Sequence, residues 1–591
     1  MVSDERRKQL EAEVKERGNM NDDGPKATKI KKEKFGDEEF EVIYREARRP
    51  SATATMRFSF CPPFNPRTYI AEPGIICEQD VAVTLRDGTI IYTDIFRPVD
   101  QTNIPVILSW SMFGKRPGDI EAEWQTMGVP PGTISRMTKF ESADPGYWCR
   151  QGYAVANVDI RGIGHSQGDM NMFGTQDGRD GYDFIEWIAT QHWCNGKVGM
   201  AGNSGVAMTQ WRIAAEQPPH LACIAPWEGT GDLYRESFFE GGIPGPGGSM
   251  VIAAVSGVGF LEDVGAMSKK HPLMNAYWED KIPKWENIRL PVYTTVCWNH
   301  FHCRGSAEGF RRIRSTKKWL RAHREFEWPD TYSNSSLEDL KKFFDRYLKD
   351  IRNGWELTPR VRLEVTDAYE CDFQTNRPEK EFPLARTQYK KLYIDAAKGA
   401  MSWEQVAKES KVSYEGKTGQ ANFAIKFKED TEITGYMKLH MWVEAEGNDE
   451  MDLFITIRKL DKDGNWLPVS VLGEPHPGAG GKMRVSHREL DPKWSSDFQP
   501  VMSHRREQKL QPGEIVPVDI EIYPYSRIWH KDEQLEVMVA GRYIREGWFE
   551  RLEWWPENKG NHIIHSGGKY DSFLQIPVIP PKYQAGDYIY R

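Results

Sequence analysis

The clearest chemical signature in this sequence is the tetrapeptide Gly202-Asn203-Ser204-Gly205. It follows a short apolar run ending at Ala201 and precedes a stretch with helical spacing, so it lies at a predicted strand-to-helix turn. Small residues on both sides permit the strained backbone that lifts a serine hydroxyl above a sheet. The Gly205 amide would then face the oxygen that becomes negative when a carbonyl is attacked. We therefore expect Ser204 to be a nucleophile in acyl transfer; a Gly/Ser turn without chemistry is the plain alternative.

The elements that would hold this serine are short, unbroken apolar runs separated by helical stretches. Such runs are typical of strands covered on both faces: Pro105–Trp110, Tyr153–Val158, Val198–Ala201 and Ala222–Ala225. The helical stretch Asp180–Gln191 places Phe184, Ile185 and Ile188 on one face. Alternation of strand and helix predicts an α/β fold with an open sheet.

Changes in charge density and in the pattern of apolar residues along the chain predict its division into domains. Residues 1–35 are dense in charge, which indicates a tail or a solvated helix. After about residue 355, short alternating segments separated by turns are typical of a jelly roll or a β-sandwich. We divide the chain into a charged extension 1–45, an α/β domain 46–227, an inserted cap 228–288, the rest of the α/β domain 289–354 and a β domain 355–591.

Five stretches resemble the cocaine-esterase and X-Pro dipeptidyl-peptidase (CocE/NonD) family of serine hydrolases. They are GYAVANVDIRGIGHSQG (152–168), WCNGKVGMAGNSG (193–205), LACIAPWEGTGDLYRE (221–236), FFDRYLK (343–349) and PGEIVPVDIEIYP (512–524). The resemblance implies an α/β-hydrolase domain with a helical cap, a C-terminal jelly roll of the galactose-binding type, and acyl transfer through Ser204. Because family members cleave esters, amides and peptides of varied kinds, it does not fix the substrate.

The resemblance also implies the chain order nucleophile, acid, base. We expect His323 to be the base, because it follows the last predicted strand of the sheet, and His302 is the second candidate. The family has an aspartate in a Gly-Trp-Tyr-Asp-like motif, where this chain reads Cys297-Trp298-Asn299-His300-Phe301-His302. Glu228, at the end of another strand, is one candidate for the missing acid. The remaining candidates are Glu325, Glu327 and Asp330, and each of the four has an alternative as a surface or capping carboxylate.

A second departure concerns the oxyanion hole. The family resemblance implies a tyrosine hydroxyl after an early strand, where this chain reads Ser111-Met112-Phe113-Gly114-Lys115. Phe113 has no hydroxyl, so we expect the backbone amides of Phe113, Gly114 and Gly205 to bind the oxyanion. We assign Trp227, Trp298 and His300 to the substrate pocket. His300, His302 and Cys303 also suggest a metal site, but with no separated ligands elsewhere we expect neither a metal nor a cofactor.

Composition excludes several classes of protein. Lys and Arg number 78 against 86 Asp and Glu, a net charge of -8 that argues against a general nucleic-acid binder. Neither an apolar run long enough to span a bilayer nor a signal-peptide core is expected. The 8 cysteines form no CxxC pair, which favours a reducing, cytoplasmic location. The expected partner is a small acyl compound rather than a nucleic acid or a membrane, and a homodimer is left open.

These observations leave three hypotheses. The first is a serine hydrolase that cleaves an ester or amide of a small hydrophobic substrate through an acyl-enzyme on Ser204. The second is a biosynthetic enzyme of the same fold that cyclises, condenses, transfers acyl groups or cleaves C–C bonds, because the family's aspartate and tyrosine are both replaced. The third is a binding protein or pseudoenzyme.

Overall fold

The fold is described from a computed structural model, which covers residues 28–47, 63–117, 121–245, 257–476, 478–544 and 554–581. The described residues form two compact units. The first takes in those up to 237, residues 257–321 and residues 325–358. The second takes in residues 238–245, 322–324 and those from 359 onward.

The first unit is built on a mixed sheet whose strands are, in sheet order, Arg67–Glu72, Ile75–Thr84, Ile90–Pro98, Ala154–Asp159, Ile104–Ser111, Cys194–Asn203, Leu221–Trp227 and Val292–Cys297. The pairs are antiparallel as far as Ala154–Asp159 and parallel beyond it. Every residue of Ile104–Ser111 and Ala154–Asp159 is buried, as coverage on both faces requires. The predicted α/β sheet is therefore confirmed.

The strand ends are level at the edge where the site forms. Asn203 pairs with Trp227, Thr295 also pairs with Trp227, and Ser111 pairs with Asp159. The residues that follow these strands therefore emerge side by side. In parallel sheets this carboxyl edge is where ligands bind.

Helices of the first unit pack between and after these strands. Their bounds are Glu121–Thr126, Pro145–Arg150, Thr175–Ala189, Ser204–Ala215, Cys303–Arg312, Glu327–Thr331 and Asn334–Leu348, with a 3-10 turn at Trp355–Leu357. The helix Thr175–Ala189 buries Phe184, Ile185 and Ile188, which is the predicted face. In the sequence, strand Lys318–His323 follows helix Cys303–Arg312 and precedes helix Glu327–Thr331. Its last two residues are grouped with the second unit. Among the described residues, the helices fall short of the length and apolar character that crossing a bilayer requires.

The segment 228–288 is less helical than expected. Its described part holds the π-helical turn Tyr234–Phe238, helices Val264–Lys270 and Ala276–Glu279, the 3-10 turn Trp285–Asn287, and strands Phe239–Glu240, Ile243–Pro244 and Phe260–Glu262. Residues 246–256 of this segment lie outside the described residues. We therefore describe it as a mixed insertion.

The end of the charged extension is a β-hairpin and not a tail or solvated helix. Strands Thr28–Phe35 and Glu38–Glu46 pair antiparallel, and Phe260–Glu262 adds a third strand at Glu46–Tyr44. Phe40, Val42 and Tyr44 are buried at alternating positions. The high charge density of residues 1–35 made this period-two pattern hard to recognise in the sequence. Residues 1–27 lie outside the described part of the chain.

The second unit is β-rich and largely antiparallel. Its strands are Val361–Thr366, Asp372–Glu379, Gln388–Asp395, Ala400–Ser402, Ser410–Glu415, Gln420–Lys426, Thr431–Glu446, Asp452–Leu460, Val469–Val471, Glu474–His476, Gly480–Arg484, Val516–Trp529, Gln534–Ala540, Asn561–Ser566 and Phe573–Ile579. The longest, Thr431–Glu446, pairs antiparallel with Val516–Trp529, Asn561–Ser566 and Phe573–Ile579. The β domain predicted after residue 355 is confirmed, and its jelly-roll topology stays a prediction.

Candidate active site

Ser204 occupies a sharp turn between strand Cys194–Asn203 and helix Ser204–Ala215. Its φ of 51° lies in the left-handed region, which residues with a side chain rarely adopt. The turn also needs glycine before and after it. A Cβ at Gly202, where φ is 137°, would lie 2.7 Å from the Glu141 carbonyl oxygen, and one at Gly205 would lie 2.8 Å from the Phe113 ring.

Two neighbouring loops hold this turn through backbone hydrogen bonds. The Ser204 N–H donates to the Glu228 carbonyl at 3.1 Å, and the Asn203 N–H donates to the Glu141 carbonyl at 3.2 Å. Glu228 and Glu141 have positive φ values of 54° and 61° themselves. Strained backbone of this kind persists where the surrounding structure imposes it, and it concentrates at functional sites.

The imidazole beside the nucleophile is that of His302. Its Nε2 lies 3.1 Å from Ser204 Oγ, and its Nδ1 lies 2.6 Å from Thr230 Oγ1. If Nε2 accepts the serine proton, Nδ1 carries the ring hydrogen and donates it to Thr230. Burial, together with the neighbouring His300, lowers the pKa of His302 well below its ordinary 6.5. The ring is therefore held in its neutral form, which can accept a proton.

His302 takes the position expected for His323. His302 caps helix Cys303–Arg312, directly after the turn that follows strand Val292–Cys297, and this turn brings it to the nucleophile. His323 is the last residue of strand Lys318–His323 and is grouped with the second unit. We therefore replace His323 by His302, the second candidate, as the partner of Ser204.

Glu228 is not the residue that orients the imidazole. His302 Nδ1 faces Thr230, which lies two residues further along the same loop. Glu228 supplies its backbone carbonyl to Ser204. Its carboxyl contributes, after burial, to raising the pKa of the Cys297 and Cys303 thiols. A neutral hydroxyl thus stands where a carboxylate was expected.

Glu141 is a carboxyl group that the sequence did not indicate. Its Oε2 accepts the Gly205 N–H at 3.1 Å, and its Oε1 accepts the Trp328 Nε1–H at 3.3 Å. Burial and the charge of Glu327 raise the pKa of Glu141 well above its ordinary value. The neutral, protonated form of the carboxyl at the Gly205 amide is therefore favoured.

A chain of polar contacts connects the turn carrying His302 to the turn carrying Ser204. His300 Nδ1 accepts the His302 backbone N–H at 3.1 Å, and His300 Nε2 lies 3.3 Å from Glu327 Oε1. The other oxygen of Glu327 accepts the Asn203 Nδ2–H at 2.8 Å. Because His300 Nδ1 is an acceptor, a neutral ring carries its proton on Nε2, toward Glu327.

The same group has the donors of a metal site. One ligand atom each from His300, His302 and Glu327 lies within 4.8 Å of the other two. Both nitrogens of His302 are already engaged by Ser204 and Thr230. We therefore assign these residues to the chain of polar contacts and not to a metal site.

The remaining predicted residues have varied positions. The Phe113 ring faces Gly205, but its amide donates to Ser111 Oγ at 3.3 Å instead of toward the nucleophile. Gly114, with φ of 78°, lets the loop turn. Trp298 is buried. Trp227 is 2% exposed, lies in the hydrophobic core and donates to the Tyr293 carbonyl, so its contacts are those of packing and not of a substrate pocket.

Thr230, Glu141 and Asn203 were missed by sequence reasoning. Thr230 lies two residues after Glu228, the acid candidate at the end of the same strand. The prediction therefore identified the correct loop but the wrong residue in it. Asn203 adjoins the nucleophile, and its partner Glu327 was one of the acid candidates. Glu141 lies before helix Pro145–Arg150 in a loop with neither periodicity nor a motif, and nothing in the sequence indicates it.

Comparisons with known proteins show which family the sequence and the fold resemble. The family model of X-Pro dipeptidyl-peptidase (S15 family) matches residues 87–258, and that of the X-Pro dipeptidyl-peptidase C-terminal non-catalytic domain matches residues 353–575. A cocaine esterase from Rhodococcus sp. (strain MB1 Bresler) is 27% identical over 604 residues, which covers 85% of this chain and 98% of the relative.

Solved structures share the fold. An aminopeptidase from a Thaumarchaeota archaeon of marine sediment superposes with a TM-score of 0.65 at 13% identity, covering 88% of this chain and 99% of its own, and supports the fold alone. A CocE/NonD family hydrolase from Staphylococcus aureus superposes with a TM-score of 0.82 at 37% identity, covering 86% of this chain and 94% of its own. The sequence identity, the matched domains and the position of Ser204 at the sharp strand-to-helix turn, here called the elbow, together show that this chain belongs to the CocE/NonD family of serine hydrolases.

Proposed function

We propose that the protein hydrolyses an ester or amide of a small hydrophobic acyl compound through an acyl-enzyme on Ser204. The observation that carries the proposal is the 3.1 Å contact between Ser204 Oγ and His302 Nε2 at a strained elbow. A nucleophile and a base within hydrogen-bond reach are the pair that covalent acyl transfer requires.

Each residue has a role in the proposed reaction. His302 Nε2 takes the hydroxyl proton as Ser204 Oγ attacks the acyl carbon, and Thr230 keeps the Nδ1–H in place. The proton then passes to the leaving group, and a water activated by His302 releases the acid. The Gly205 amide binds the oxyanion.

Aromatic side chains beside the elbow support a hydrophobic acyl group. The Phe113 ring faces Gly205 and packs edge-on against Phe140 at 5.0 Å between centroids. Phe140 in turn contacts the rings of Trp124 and Trp328. All four rings are buried, so they make the surroundings of the nucleophile apolar, and apolar surroundings favour an apolar acyl group. The proposal takes a small molecule, and not a nucleic acid, as the partner.

The test combines a fluorophosphonate probe with turnover of p-nitrophenyl acyl esters. We expect the probe to label Ser204 in the wild type and to leave S204A unlabelled. H302A should lose about 10²–10⁴-fold in kcat, whereas H323A should stay within about threefold of wild type. Loss of turnover in H323A with full turnover in H302A would return the role of base to His323. Without labelling of the wild type, the binding-protein hypothesis would replace this one.

One observation favours a second candidate, a non-hydrolytic acyl-transfer enzyme. His302 Nδ1 faces the hydroxyl of Thr230 and not a carboxylate. A carboxylate stabilises the imidazolium that forms when the base accepts a proton, and a neutral hydroxyl does so less. Mass analysis of an acyl ester offered with alcohol and amine acceptors separates the two, because serine-dependent formation of acylated acceptor without free acid would support transfer.

A further inference from the structure

Among the described residues, the Gly205 amide is the backbone donor next to Ser204 that can bind the oxyanion, and without a substrate it donates to Glu141 Oε2 at 3.1 Å. An oxyanion in acyl transfer is normally held by two or more preorganised donors. The Phe113 amide already donates to Ser111 Oγ at 3.3 Å, and the Phe113 side chain carries no hydroxyl. The chemistry proposed above therefore calls for a second donor close to Gly205.

The Glu141 carboxyl lies at the required place. Its Oε2 is 3.1 Å from the Gly205 nitrogen, which is where an oxygen bound by that amide would lie. It also lies next to the attacking residue, because Ser204 directly precedes Gly205. Burial and the nearby charge of Glu327 favour its protonated form, which can donate.

The loop that carries Glu141 is fixed against the elbow. The Asn203 N–H donates to the Glu141 carbonyl at 3.2 Å, and Glu141 itself has φ of 61°. The absence of a side chain at Gly202 permits this approach, because a Cβ there would lie 2.7 Å from the same carbonyl oxygen. Trp328 Nε1 holds the other carboxyl oxygen at 3.3 Å. The strand Cys194–Asn203 thus holds the backbone of Glu141, while the Gly205 amide and Trp328 hold its two carboxyl oxygens.

We propose that Glu141, as a carboxylic acid, is a catalytic residue that donates the second hydrogen bond to the oxyanion, in place of the hydroxyl that Phe113 lacks. This inference rests on the proposed function. The substrate carbonyl oxygen displaces Glu141 Oε2 from the Gly205 amide, and the Glu141 hydroxyl, still next to that amide, then donates to the substrate oxygen.

The step balances without net change at Glu141. Ser204 Oγ bonds to the acyl carbon, its proton passes to His302 Nε2, and the carbonyl π pair moves to the oxygen that Glu141 and Gly205 bind. When the oxyanion collapses, that pair reforms the C=O bond and the leaving group departs with the proton of His302. Glu141 keeps its own proton throughout and acts by hydrogen bonding alone.

The test compares Glu141→Gln with Glu141→Ala. Glutamine is nearly isosteric and keeps a neutral N–H donor, so E141Q should stay within about tenfold of wild type in kcat. Alanine removes the donor, so E141A should lose about 10²–10³-fold in kcat with KM little changed. A trifluoromethyl ketone, which forms an oxyanion adduct with the serine, should bind E141A more weakly by the same factor.

Controls separate this inference from folding and from the proposed function. Ser142→Ala alters the next residue of the same loop, whose hydroxyl donates only to the Phe140 carbonyl, and should keep wild-type kcat. If E141Q loses as much as E141A, Glu141 acts as a carboxylate and the inference is overturned; an E141A variant with full kcat overturns it as well. In both cases fluorophosphonate labelling of Ser204 would leave the proposed function standing, whereas an unlabelled wild type removes both.

Discussion

At the residue scale, the unusual feature is a threonine where serine hydrolases commonly place an acid. Thr230 Oγ1 lies 2.6 Å from His302 Nδ1, and both side chains are buried. A buried N–H left without an acceptor costs about 1–3 kcal/mol, and that cost grows when the ring becomes charged. Thr230 therefore has to hold the ring in the tautomer and orientation that leave Nε2 free for Ser204.

Thr230→Val tests this role, since it keeps the shape and removes the acceptor. We expect kcat on an acyl ester to fall by about 10–10²-fold, as 1.4–2.7 kcal/mol of lost stabilisation implies. Thr294→Val is the matched control, because Thr294 is equally buried but donates to the Pro226 carbonyl, away from the imidazole. Equal loss in the two variants would attribute the effect to packing.

The pH profile of kcat/KM reports the state of His302 in the free enzyme. Burial and His300 lower its pKa below the ordinary 6.5, so the neutral, active form persists as the pH falls through that value. Activity should therefore decline only at lower pH, and the acid limb measured with a neutral ester from about pH 4.5 to pH 8 should have its midpoint below 6.5. A midpoint above 6.5 would mean that the ring is more exposed, or closer to a negative charge, than the structure shows.

Sequence could predict the nucleophile but only part of its surroundings. Ser204 could be predicted because glycines on both sides of a serine at a strand end permit the strained turn that exposes its hydroxyl. The choice between His302 and His323 depends on how the five-residue turn after Cys297 folds back, which no local pattern encodes. Glu141 is brought in by a contact across more than 60 positions of sequence, so only the assembled fold reveals it.

At the element scale, the elbow depends on backbone space as much as on the serine. A Cβ at Gly202 would contact Val206 and the Glu141 carbonyl, so Gly202→Ala must shift either the helix or the loop. Gly88→Ala is the matched control, because Gly88 also has a positive φ, of 84°, but has nothing within 4 Å of an added Cβ. Both variants carry the strain of a left-handed alanine, about 1–2 kcal/mol, and only one disturbs the site.

The expected result is a divergence in labelling. Gly202→Ala should lose most fluorophosphonate labelling of Ser204 and lower Tm more than Gly88→Ala, which should label fully. If the two variants label alike, the close approach of the Glu141 loop to the elbow is not required for nucleophilicity.

Strands could be predicted where burial on both faces requires a continuous run of apolar residues. The runs around Pro105, Tyr153, Val198 and Ala222 are strands because their residues are mostly apolar and need cover on two sides. Helix ends were less accurate: the helix assigned from Asp180 begins at Thr175, since its first turn carries the buried Asp177 and Gly178 and not an apolar stripe.

At the scale of the whole molecule, the charged N-terminal segment proves to be structural in its described part. Strands Thr28–Phe35 and Glu38–Glu46 extend a sheet to Phe260–Glu262 in the insertion. Phe40 contacts the rings of Phe35, His271 and Tyr277, so it ties the hairpin to the insertion. Charged residues face outward along the same strands, which explains why the segment reads as a tail when its composition alone is considered.

Phe40→Ala measures what this hairpin contributes. Phe40 is 8% exposed, and truncating a buried phenylalanine costs about 3–5 kcal/mol, so the first unit should unfold at a clearly lower urea concentration. Ile30→Ala, at a site 63% exposed on the same hairpin, should change the free energy of unfolding by less than about 0.5 kcal/mol. Unfolding followed by tryptophan fluorescence distinguishes them. Two equal, small effects would mean that the hairpin folds without stabilising the insertion, and that contacts outside the hairpin, such as those with Met170 and Asp169, hold Phe260–Glu262 in place.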